Sequence, residues 1–169
     1  MAASPRTAFV LLSALGCLAA LTAAGCTRVD AAGVRTVEAK IDGITCQACV
    51  PPLTKSLQRR FKQAAVDVDD ANDTATLRLK RGETFSPAEF GQAVADVRMR
   101  VVTVHLEACG RAEAAGAQRI LAAGSSRFVL RGTQAVPMNQ AVCVNGTLDS
   151  SQDPAVLDIG TVSADSAGS

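Results

Sequence analysis

The chain has 169 residues, 48% hydrophobic and 20% charged, which is enough apolar content for one ordinary domain or two very small ones. Seventeen Lys and Arg against sixteen Asp and Glu leave a formal charge of +1, without the concentrated basic footprint that nucleic acid calls for. Five Phe with no Trp and no Tyr nearly exclude stacking platforms for bases or sugars.

Residues 1–25 read as a secretory signal, with Arg6 as the sole charge ahead of a mainly apolar run from Ala8 to Ala24. A retained single-span anchor is the alternative, since roughly 17 to 25 apolar residues cross a bilayer. The ending Thr22-Ala23-Ala24-Gly25-Cys26 resembles the lipobox of bacterial lipoproteins, although Ala23 stands where Leu is usual. That resemblance implies acylation of Cys26 and a chain tethered by lipid to a membrane of the bacterial cell envelope, facing the periplasm or exterior. Removing residues 1–25 deletes one Arg and no acid, so the mature chain is formally neutral. Cys17 leaves with the signal. Cys46, Cys49, Cys109 and Cys143 then sit in a compartment where disulfides persist, with three pairings open to them.

Residues 26–33 form a short tether. Val37, Ala39 and Ile41 alternate with Thr36, Glu38 and Lys40, the period of a strand with one buried face. Leu53, Leu57, Phe61 and Ala64 share one helical face, and Pro51 and Pro52 confine that helix's start to their vicinity. Val66 and Val68 begin a second strand, and Ala75, Leu77 and Leu79 mark a third beyond the turn-rich residues 69–73. Ser86, Pro87 and Glu89 predict the N-terminus of a second helix by a capping box, with Phe85 and Phe90 as its hydrophobic staple. A fourth strand follows over 100–107, with Val102, Val104 and Leu106 on one side. The order predicts an α+β chain whose first domain, residues 34–107, is a ferredoxin-like βαββαβ fold. From Cys109 onward Gly, Ser and Ala separate short apolar runs. Residues 108–162 are accordingly expected to form a small all-β unit, either a barrel of the OB type or a β-extension packed on the first domain, followed by a disordered tail at 163–169.

The motif that carries chemistry is Gly43-Ile44-Thr45-Cys46-Gln47-Ala48-Cys49, between the first strand and the first helix. It resembles the Gly-Met-Thr-Cys-x-x-Cys loop of heavy-metal-associated domains, with Ile44 in place of the usual Met. The resemblance covers residues 34–107 and implies a metal-binding protein, not an enzyme. Cys46 and Cys49 would be its ligands, and it would pass its ion to a metal transporter or acceptor protein. Apart from the resemblance, a loop cysteine and a second one at a helix N-terminus bring two sulfurs to one exposed point, where the helix dipole favours thiolate. Two soft thiolates select Cu(I) first; the mercury-binding relatives suggest Hg(II), and Zn(II) is the third candidate although it usually takes four ligands. The competing readings are a Cys46–Cys49 disulfide, a thiol–disulfide redox protein and a metal-free interaction module of the same fold.

Cys109 and Cys143 are paired as a disulfide stapling the β-unit; the alternative is a second metal site joined by His105. The aspartates around the 69–73 turn lack the spacing of a calcium loop. There is no Gly-x-Ser-x-Gly or Gly-x-Gly-x-x-Gly, and one His offers little for acid–base chemistry.

Overall fold

The computed structural model describes residues 32–164; the expected signal, Cys26 and residues 165–169 lie outside them. The described chain runs β1 (Gly33–Asp42), α1 (Val50–Arg60), β2 (Ala65–Asp69), β3 (Thr74–Arg78), α2 (Pro87–Ala95), β4 (Arg100–Ala115), β5 (Gln118–Ala123), β6 (Ser126–Arg131), β7 (Ala141–Asp149) and β8 (Val156–Ala164).

Local sequence explains the first half. In β1 the alternating Val37, Ala39 and Ile41 are buried, and Val37 lies between Leu77 of β3 and Leu106 of β4. Helix α1 buries Leu53 and Leu57 and ends on Phe61, and its two prolines sit in the first turn, where no intrahelical N–H is lost. Helix α2 opens on Ser86, whose hydroxyl accepts from the Glu89 N–H at 3.3 Å. Phe61, Phe85 and Phe90 meet between the helices with ring centroids 5.9 to 6.4 Å apart. The buried Ser56 hydroxyl donates to the Ala93 carbonyl at 2.8 Å and ties α1 to α2.

The expected fold class does not hold. The chain is mostly β, with half its described residues in strands and only two short helices, and it is not a ferredoxin-like βαββαβ domain followed by a separate β-unit. All eight strands belong to one sheet, ordered β2-β3-β1-β4-β5-β6-β8-β7, which closes where β4 also pairs with β7. Closure makes a five-stranded barrel of β4, β5, β6, β8 and β7, with Leu121, Phe128, Leu130, Val144 and Leu157 in its buried core. The boundary expected after residue 107 falls inside β4, whose second half is the barrel's first strand. Alternation fades there because Ala108, Cys109 and Gly110 are all buried: covered on both faces, the strand loses its period-2 signature. Ser163 and Ala164, assigned from composition to the tail, are paired in β8 with Cys143 and Val142.

A second correction concerns Val102, expected inside with Val104 and Leu106. A register shift opposite Lys40 and Ile41 passes from Thr103 directly to Val101, and Val102 is turned out, 58% exposed. The shift resets the face from which Val104 and Leu106 point inward.

Gly110 is where β4 exchanges β1 for β5 as its neighbour on one side. A Cβ at this position would collide with the Ala122 carbonyl, so only glycine permits the strands to approach. Gly91, inside α2, has open space around it. The two glycines therefore predict opposite signs. Gly110→Ala should lower the unfolding free energy by about 2 kcal/mol or more, through backbone displacement at the barrel entrance. Gly91→Ala should raise it by about 0.5 to 1 kcal/mol through helix propensity. Denaturant melts of the two variants check both, and two variants of equal stability would contradict the packing described.

Candidate metal-binding thiol site

The Cys46–Cys49 loop is built by the end of β1. Gly43 turns the chain with φ +110°, a conformation L side chains avoid, and a Cβ there would press on Met99. Ile44 is buried and anchors the loop to the core, leaving Thr45, Cys46, Gln47 and Ala48 exposed. Residues Gln47–Cys49 form a single 3₁₀ turn, closed by the Cys49 N–H donating to the Cys46 carbonyl at 2.8 Å, and Cys49 is the N-cap of α1. The proline pair thus leaves Cys49 just outside the α-helix.

This turn brings both sulfurs together. Cys46 is exposed, Cys49 half-buried, and their Sγ atoms are 2.8 Å apart. That is well beyond the roughly 2.05 Å of a disulfide bond. The Thr45 hydroxyl lies 3.9 Å from Cys49 Sγ. The Cys49 thiol is held below its usual pKa, first by the Cys46 side chain donating to it, then by the Thr45 backbone and hydroxyl and the Cys46 backbone; partial burial opposes them. The pair therefore combines an easily formed thiolate with a second sulfur in contact, at a surface open to an incoming ion or thiol.

The other cysteines stand apart. Cys109 and Cys143 face each other across the β4–β7 seam and are bonded, closing a loop with a sequence separation of 34 residues. Such a link contributes about 3 to 4 kcal/mol by restricting the unfolded chain. The carboxylate of Glu107 lies within 4.8 Å of both sulfurs. Because the sulfurs are bonded to each other, neither is a thiolate ligand, and the three do not form a metal site in this state. His105 does not join them: its Nδ1 is 3.0 Å from the Thr147 hydroxyl, and the ring is exposed. Nothing local in the sequence pointed to Glu107 or Thr147, since both placements follow from pairing across the barrel seam. Among the described residues, Met99 packs behind Gly43 and Met138 against the core, both partly buried. A concavity of about 530 Å³, lined by the start of α2, the β5–β6 turn and the β7–β8 loop, shares no residue with the thiol loop.

The depressed Cys49 pKa has a testable sign. In the reduced protein its thiolate persists to lower pH than that of an ordinary cysteine, and alkylation by iodoacetamide should fall only below that range. Cys46→Ala removes the leading donor and should move the rate profile to higher pH, slowing alkylation at pH 7 several-fold. An unmoved profile would show that Cys46 does not set the Cys49 pKa. No protein-family model, curated protein or solved structure matches this chain.

Proposed function

We propose that the chain is a non-enzymatic, extracytoplasmic protein that captures a soft metal ion through Cys46 and Cys49 and passes it on by ligand exchange. The observation that carries the reading is the convergence of two sulfurs, 2.8 Å apart, on an exposed turn. Thiolates favour Cu(I), with Hg(II) next; Zn(II) is third because a single Cys-x-x-Cys supplies half of its usual tetrahedral set. Two exposed ligands leave the metal open to an incoming thiolate, which suits transfer to a transporter or acceptor better than storage. Lipid at Cys26 would hold the protein at an envelope membrane and raise its effective concentration near such a partner. The support lies in the Gly43–Cys49 loop, which resembles that of heavy-metal-associated domains, and not in the surrounding sheet.

The same short sulfur separation favours one rival, a thiol–disulfide protein in which Cys46 and Cys49 cycle between bonded and free states. Metal uptake separates the two. The reduced chain should take up one Cu(I) per molecule in competition with a chromogenic chelator, and Cys46→Ser with Cys49→Ser should abolish it while leaving the fold and the Cys109–Cys143 bond intact. Uptake that survives the double substitution would overturn the assignment. Because both ligands must lose protons, affinity should weaken as pH falls through the thiol pKa values. Affinity independent of pH from 8 to about 5 would count against thiolate ligation.

A further inference from the structure

Five exposed cations gather at the end of β1 remote from the thiols. Arg59 and Lys62 come from the end of α1 and the segment after it, and Arg78, Lys80 and Arg81 from the end of β3 and its following loop. Glu83 holds the two segments together, accepting from the Gln63 N–H at 3.1 Å and the Lys80 N–H at 3.3 Å, while Ala65 is in register with Arg78. None of the five cations forms an ion pair with a carboxylate among the described residues. Glu83 is the one acid within 59–66 and 78–84, and its oxygens are already engaged by backbone. Asp96 pairs with Arg60 and also faces Arg59, and Glu107 pairs with Arg35, so the local excess of positive charge at this corner rests on Lys62, Arg78, Lys80 and Arg81.

The start of β1 lies at the same corner. Thr36 is in register with Arg78, and the Leu79 N–H donates to the Arg35 carbonyl at 2.9 Å. Residues 27–32 connect this corner to Cys26, the lipid attachment proposed above, and six residues reach at most about 22 Å. A membrane holding that lipid is therefore within reach of the cations. We propose that this corner docks on anionic lipid headgroups, which holds the thiol loop, at the far end of a strand about 30 Å long, away from the bilayer and open to a partner. The inference deepens the membrane tether proposed above and rests on it for the nearness of the bilayer. Nucleic acid fits less well: the cations form a compact corner, not a groove-length stripe, and the nearby Phe61 and Phe85 are buried and give no stacking surface.

The test is partition of the full chain onto phosphatidylcholine vesicles with and without about one lipid in three as phosphatidylglycerol, at low salt. Roughly tenfold stronger partition onto the anionic vesicles is expected, lost as salt is raised. Arg78→Glu, Lys80→Glu and Arg81→Glu together should remove the difference, and the milder Lys80→Gln with Arg81→Gln should reduce it. Lys40→Glu with Arg100→Glu, an equal class of change at the thiol end, should leave it. Equal partition onto both vesicle types would overturn the docking surface while leaving the tether standing, and loss of all association would remove both. An unchanged preference in the corner variants, or tighter binding to a DNA duplex than to anionic vesicles, would overturn the proposal as well.

Discussion

The sixteen residues of β4 hydrogen-bond to three other strands, and that sharing constrains every other element. Residues 100–109 pair with β1 and 105–111 with β7, while 111–115 pair with β5 and carry the strand into the barrel. A strand can pass between such neighbours only if the backbones approach closely at the exchange point, and Gly110 supplies that approach against Ala122. Directly beside it, the Cys109–Cys143 bond fixes the β4–β7 register and with it the barrel's closure. The helical layer and the barrel consequently draw on one continuous hydrophobic core, and β4 offers no point at which they divide.

Sequence reasoning succeeded where the signal is local. The Ser86 cap, the Phe85–Phe90 contact with centroids 6.0 Å apart, and the buried face of Leu53, Leu57 and Phe61 all depend on residues a few positions apart, where helical spacing is decisive. A barrel was one of the two forms expected for residues 108–162, but its closure depends on the β4–β7 pairing, about 35 residues apart in sequence, which no local pattern encodes. At Ala108, Cys109 and Gly110 burial on both faces also erased the alternation that would have extended the strand. The same shift of register that turned Val102 outward could not be seen from the strand's own sequence, because a bulge is a property of a pair.

The thiol pair was legible by spacing and position, and its local geometry follows from three residues. Gly43 turns the chain, Ile44 pins it, and the Pro51–Pro52 pair keeps Cys49 at the helix cap instead of inside the first turn. What spacing alone did not reveal is the asymmetry between the sulfurs: Cys49 is half-buried and receives the donors, whereas Cys46 is exposed. Bonded and buried, Cys109 and Cys143 take no part in thiol chemistry, so the free thiol pair and the structural staple are separate.

The claim that Cys46 and Cys49 alone form the ligand set is tested most directly by X-ray absorption at the metal edge. The sample is the reduced chain with Cys109–Cys143 bonded and one equivalent of Cu(I) loaded. A first shell of two protein sulfurs is expected. A shell of nitrogen or oxygen without sulfur, or the same spectrum after both thiols have been alkylated, would contradict it.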